Sequence, residues 1–180
     1  MDWDNMRKNL EALYVLDNAL TDPSEEYLRL INKKEIDPNL KYEIDNGAGD
    51  LLSVVFTETA VLIKGFSHEN NLNQFASDEW NQSIIDKMYE GIDEKRKNLF
   101  SVEEGEQTTF FIWYDREVHQ HQMDGNDGGR WLLGYLFDTY ERFQEFVTEY
   151  YSMEFDNQLL QKLYTNSFLS DMELSKLIEG

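Results

Sequence analysis

From Asp45 to Glu69 the chain reads Asp-Asn-Gly-Ala-Gly-Asp-Leu-Leu-Ser-Val-Val-Phe-Thr-Glu-Thr-Ala-Val-Leu-Ile-Lys-Gly-Phe-Ser-His-Glu, and no other stretch constrains the fold as much. Leu51 to Phe56 and Ala60 to Phe66 are short apolar runs rich in Val, Ile, Leu and Phe, the composition of strands. Thr57-Glu58-Thr59 between them is a polar break short enough for a tight hairpin, although no Asn-Gly or Asp-Gly pair fixes its turn type. Upstream, Asn46-Gly47-Ala48-Gly49-Asp50 is a turn cluster, because glycine reaches positive φ without steric penalty. Gly65 interrupts the second run, as at a bulge or a close backbone approach. Neither run alternates, so the pattern predicts central strands buried on both faces.

A chain of 180 residues with 41% hydrophobic and 14% aromatic content has the material for one domain with a full core. Sixteen basic against 36 acidic residues leave a net charge of −20. Such a charge repels nucleic acid phosphates and anionic lipid, and it suits a basic protein partner. No apolar run approaches the length of a membrane span, and Met1-Asp2-Trp3-Asp4 has none of the features of a signal peptide. The absence of cysteine excludes disulfides, thiolate metal sites and a cysteine nucleophile within this chain. The expectation is a cytoplasmic protein without cofactors, bound to a basic protein and not to nucleic acid or membrane.

Trp3, Met6, Leu10, Leu13, Leu16 and Leu20 recur at helical spacing and predict a first helix. Asp22, Pro23 and Glu25 read as the start of a second, with Tyr27, Leu28, Leu30 and Ile31 as its buried face. Asp37-Pro38-Asn39 then breaks the chain before Tyr42. Ser67 to Ser77 reads as a surface loop, and Ser77-Asp78-Glu79 as the opening of a helix that buries Trp80, Ile84, Ile85 and Met88 and stops at Gly91. A short helical piece follows at Glu94 to Asn98.

Thr108 to Tyr114 is a third clear strand, with Val118 to Met123 placed to pair with it across Asp115-Arg116-Glu117. Asp124 to Gly129 is a turn, and Arg130 to Phe137 is apolar without a deciding period. The last third is helical: Asp138 and Glu141 as a capping box, a helix around Leu159, Leu160, Leu163 and Tyr164, and a final one capped by Ser170 and Glu173.

This order predicts a single α+β domain over residues 1–180, with a mainly antiparallel sheet and helices at both ends of the chain. Its parts are a helical segment 1–40, a sheet-bearing core 42–137 and a helical segment 138–180. Val54, Phe56, Leu62, Phe111, Trp113 and Phe143 are the expected core.

Four groups of residues invite a chemical reading. His119 and His121 share one side of a strand and, with Glu117 or Asp124, have the spacing of a metal pair. Two polar imidazoles on an exposed strand face have the same spacing, and that reading ranks first, with no metal expected. His68 beside Glu69 is the candidate for acid–base catalysis, against a polar pair that merely ends a strand. No Gly-x-Ser-x-Gly or similar motif supplies a nucleophile. The Asp124–Gly129 run lacks the alternating acids and closing Glu of a calcium loop, and Gly47-Ala48-Gly49 lacks the Lys-Ser or Lys-Thr of a phosphate loop. Glu141, Glu145 and Glu149 stand four apart and form one acidic ridge on a helix, offset locally only by Arg142. That ridge is either a solvated face or the docking surface for a basic partner.

The sequence of features from the Asn-Gly turn through the apolar hairpin, Lys64-Gly65-Phe66-Ser67-His68-Glu69, the Trp-bearing strand, the Asp-Gly turn and the aromatic helix resembles small bacterial α+β proteins found among toxin-immunity genes. It is more loosely similar to the SUKH superfamily of immunity proteins, whose early Leu-Pro pair this chain lacks. The similarity spans roughly residues 40 to 150. It implies a bacterial, cytosolic, non-catalytic protein that binds and neutralises a toxin. The leading expectation is therefore an immunity-type binder of a cationic toxin such as a nuclease. The alternatives are a hydrolase-type enzyme using His68, Glu69, His119 and His121, or a small-ligand-binding module.

Overall fold

The computed structural model describes residues 3–121, 123 and 125–179. The chain forms two compact units, residues 32–133 and residues 1–31 with 134–180. The architecture is α+β, with one antiparallel sheet and helices toward both ends of the chain.

The first unit carries the sheet. Its strands are β1 (Ile31–Ile36), β2 (Asn39–Asp45), β3 (Leu51–Phe56), β4 (Val61–Phe66), β5 (Phe110–Tyr114) and β6 (Val118–Gln120), and their spatial order is their order in sequence. The hairpin that the apolar runs predict is its centre, with Val54 opposite Ile63 and Val55 opposite Leu62. Its turn is closed by Thr57, whose N–H donates to Ala60 O at 2.8 Å and whose Oγ1 accepts from Ala60 N at 2.9 Å. At the other end Asn46 Oδ1 accepts from Ala48 N and Asp50 N, with Gly47 and Gly49 at φ +71° and +93°. Every residue of β4 is buried, and so is every residue of β3 after Leu51. Gly65 marks a close approach and no bulge: pairing runs unbroken through it, and a Cβ there would overlap the Phe110 ring.

One face of the sheet presents Val55, Leu62, Phe111 and Trp113 to Leu72, Ile85, Met88, Tyr89 and Phe100. Those residues come from the loop after β4 and from α2 (Gln82–Met88), α3 (Glu94–Lys97) and α4 (Val102–Glu106) with their connections. The opposite face carries Tyr42, Leu52, Val54, Ile63 and Ile112, also buried. All six expected core residues are buried.

The second unit is helical: α1 (Trp3–Leu20), α5 (Tyr140–Tyr151), α6 (Asn157–Asn166) and α7 (Asp171–Glu179). Met6, Leu10, Leu13 and Leu16 of α1 are buried, as the stripe predicts. Two buried polar residues of α1 tie down distant backbone. Asn9 donates to the Phe137 carbonyl. Asp17 accepts from Leu30 N, Ile31 N and, at 2.7 Å, the Tyr151 hydroxyl.

Four local expectations are corrected. Asp22 does cap a helical turn, but it is a 3-10 turn, Pro23–Leu28, which leaves Tyr27 and Leu28 exposed. Leu30 and Ile31 are buried because Asp17 takes their N–H groups, and the chain leaves there as β1, so the segment before residue 40 is not wholly helical. The helix expected at Ser77 starts five residues later, because Asn81 caps it and Ser77 ends a 3-10 turn (Gln74–Ala76). Trp80 is consequently outside the core, 42% exposed. The cap of α5 is Thr139, while Asp138 pairs with Arg142. Arg130–Leu136, undecided by pattern, is a 3-10 helix.

Candidate functional site

Glu141, Glu145 and Glu149 all lie exposed on α5, one turn apart, about 6 Å per step along the axis. Phe143 and Val147 occupy the opposite, fully buried side. Arg142 does not neutralise the ridge, since its Nη1 reaches Asp138 at 3.1 Å. Among the described residues none of the three glutamates is in an ion pair. Aromatic rings border the ridge. Phe146 and Tyr150 stack at 5.4 Å, Tyr135 meets Phe146 edge-on at 5.5 Å, and Tyr150 is 43% exposed. Carboxylates beside exposed aromatic rings are groups that guanidinium and ammonium side chains bind.

His68 has a different partner from the one its neighbour suggests. Glu69 is nearly free in solvent and 3.8 Å from Nε2. Asp50, buried, holds the ring: its Oδ1 lies 3.0 Å from His68 Nδ1 and accepts His68 N–H at 2.9 Å, while Asn46 Nδ2 donates to Oδ2 at 2.9 Å. Burial pushes the Asp50 carboxyl up, but the hydrogen bonds from Asn46 and His68 outweigh it and hold the group below the usual carboxylate range. Position 50 ends a turn cluster, and nothing local in the sequence announces it as an imidazole partner. An Asp-oriented imidazole is equipped for proton transfer. Among the described residues none of the hydrogen bonds of His68 goes to a hydroxyl, thiol or amine that it would activate.

His119 and His121 both lie near the Trp113 ring, at 4.8 Å and 6.2 Å, but serve different partners. His119 stacks on Trp113 at 9° and its Nε2 meets Asp115 Oδ1 at 2.9 Å. Arg96 donates to the other oxygen of Asp115, and this contact first, with that of His119, keeps the carboxyl low. His121 Nε2 lies 2.9 Å from the Glu90 carbonyl, which can only accept, so the proton sits on that nitrogen and Nδ1 keeps the lone pair. Among the described residues no three His, Asp or Glu side chains are grouped to hold a metal, and Asp124 lies outside the described residues. His68 and the His119–His121 pair do not converge. Trp113 is opposite Leu62, whereas His68 follows Phe66, about 13 Å further along β4.

An ionic cluster with two buried lysines lies outside the groups that the sequence singles out. Lys41, Glu43, Ser53 and Lys64 share one face of β2, β3 and β4, with Glu104 of α4 above them. Lys41 bonds Glu104 and lies 3.1 Å from Glu43, which accepts from Ser53 Oγ. Lys64, 1% exposed, donates to Gln107 O at 2.7 Å. Burial pulls its ammonium down to about 8, helped by Lys41 and opposed by Glu43 and Glu104. Its only sequence signal is a lysine inside an apolar run.

Two surface clefts stand apart from these groups. One of about 660 Å³ is lined by Asn71, Leu72, Asn81, Ile84, Lys87 and Asn126, and one of about 270 Å³ by Pro38, Thr57, Glu58, Lys95 and Arg96 among others. Neither holds a histidine. Among the described residues no helix is long and apolar enough to cross a membrane. Compared with protein-family models, curated proteins and solved structures, the chain finds no match.

Proposed function

We propose that this protein is a non-catalytic binding protein of immunity type, whose partner is a basic protein such as a cationic nuclease toxin. The observation that carries the reading is the α5 ridge, three exposed glutamates one turn apart without basic partners among the described residues, on a chain of net charge −20. Complementary fields raise association rates and disfavour wrong partners. At about 0.15 M salt the screening length is near 8 Å, so the ridge acts at close approach.

Exchange of Glu141, Glu145 and Glu149 for glutamine tests the reading. The variant keeps its fold, since all three side chains face solvent, and it associates about tenfold more slowly with the partner recovered by pull-down at low salt. The loss shrinks at high salt. An unchanged association rate, or a partner with an acidic surface, removes the ridge from the account.

The enzymatic alternative draws its support from the Asp50–His68 pair alone. It predicts an activity lost in His68→Ala and weakened in Asp50→Asn. Partner neutralisation by His68→Ala at full strength counts against it.

A further inference from the structure

We propose that the corner formed by Phe75 and Trp80 is a binding site for an arginine side chain of a protein partner. Both rings are large, apolar and outward-facing, Phe75 55% and Trp80 42% exposed. They meet at 76° with centroids 5.3 Å apart, and Phe66 backs Phe75 edge-on at 6.4 Å. Two near-perpendicular aromatic faces make a corner into which a flat cation stacks.

The rings are held out by a built loop. Asn73, buried, donates to His68 O at 2.7 Å and accepts from Phe75 N at 3.0 Å. Gln74, also buried, donates to Leu72 O and accepts from Asn81 N at 2.9 Å. Trp80 Nε1 donates to Gln82 Oε1 at 3.0 Å, which fixes the indole plane. Pre-ordered rings lose little entropy on binding.

Charge selects the occupant. Between Lys64 and Lys87 there is no lysine or arginine, while Glu69, Asp78, Glu79 and Asp86 bear four carboxylates, all exposed. A second copy of this chain would set one acidic patch against another, and anionic lipid is repelled likewise. The Asp86 carboxylate is joined to the corner through Gln82, which accepts from Trp80 Nε1 and donates to Asp86 Oδ1 at 3.1 Å, so a cation stacked on the rings has a carboxylate near it. Guanidinium is favoured over ammonium because it is planar, weakly hydrated and able to stack while it forks to a carboxylate. The site stands in the sheet-bearing unit and does not rest on the α5 ridge.

The test is nuclear magnetic resonance on the full chain, with the Trp80 indole N–H assigned by its loss in Trp80→Phe. Acetyl-hexaarginine amide is the probe and the hexalysine peptide the comparison, at equal salt. The arginine peptide shifts the Trp80 signal saturably and binds several-fold tighter than the lysine peptide. Phe75→Ala weakens it about tenfold, and the Glu141→Gln, Glu145→Gln, Glu149→Gln triple variant leaves the Trp80 response intact. Both aromatic residues are exposed, so unchanged melting of Phe75→Ala verifies the fold. Equal response to both peptides, shifts that bypass Trp80, or a Trp80 shift driven by protein concentration alone overturn the proposal. The last of these outcomes would assign the corner to a second copy.

Discussion

Gly65 and Lys64 are neighbours in β4 with opposite problems. A side chain at Gly65 would begin inside the Phe110 ring, so Gly65→Ala is expected to destabilise by about 1–3 kcal/mol. Phe110→Ala should cost less in the Gly65→Ala background than in the natural protein, a coupling that denaturant unfolding of the two single variants and the double variant measures. Lys64 has side-chain atoms to spare but is buried, 1% exposed. Its ammonium sits at about 8 in the fold against 10.5 unfolded. Between those values the unfolded chain holds a proton that the folded chain lacks, so stability rises with pH across that window. Below it both states are protonated and the burial penalty is in full force. Relative to Lys64→Met, the natural protein should gain about 3 kcal/mol as pH climbs from below 8 to above 10.5, read from paired denaturant melts. A difference that stays flat with pH would contradict the buried-ammonium account. The sequence shows both residues as anomalies in an apolar run, but their neighbours, Phe110 and Gln107, are over forty residues away.

At the scale of elements, α4 is a short helix that matters through one side chain. Ser101 and Glu104 cap it reciprocally, and Glu104 also holds the buried Lys41. Burial pushes the Glu104 carboxyl up, and the hydrogen bonds from Lys41 and Ser101 reverse that and keep it low. Glu104→Ala should therefore cost about 2–3 kcal/mol, more than Ser101→Ala at about 1 kcal/mol, because it leaves an ammonium buried with Glu43 alone. Equal losses from the two changes in thermal unfolding would reduce Glu104 to a cap. The Ser-x-x-Glu spacing is visible in the sequence; the lysine it serves, 63 residues back, is not. The same division runs through the chain. The hairpin of β3 and β4 and the ridge on α5 are legible because strand and helix periods are local properties. The turn after Asp22 is not legible because the burial of Leu30 and Ile31 comes from Asp17, not from helical periodicity. The exposure of Trp80 is not legible because an apolar residue near a cap signal resembles a core position.

For the molecule as a whole, charge is the governing quantity. A net charge of −20 opposes compaction by self-repulsion, and salt relieves it. The melting temperature should rise as sodium chloride shortens the screening length from about 30 Å at 0.01 M to about 8 Å at 0.15 M. A fall would mean that the internal ion pairs outweigh the repulsion. The α+β class and the antiparallel sheet follow from the pattern of runs and turns. The assembly of α1 with α5, α6 and α7 does not, because an apolar stripe does not name its partner. That pairing rests on contacts such as Asn9 with Phe137 O and Ser167 Oγ with Lys8 O, 159 residues apart.

The two units consequently face different schedules when the chain is made. The strands β1 to β4, which lie side by side in sequence order with short connections, can zip up as each hairpin emerges from the ribosome. The first helix has no such neighbour. Its apolar stripe waits for residues 134–180, the last of which follow residue 31 by about 7–30 s of synthesis. Throughout that interval Leu10, Leu13 and Leu16 are without their native packing, and that is when a nascent-chain chaperone would find them.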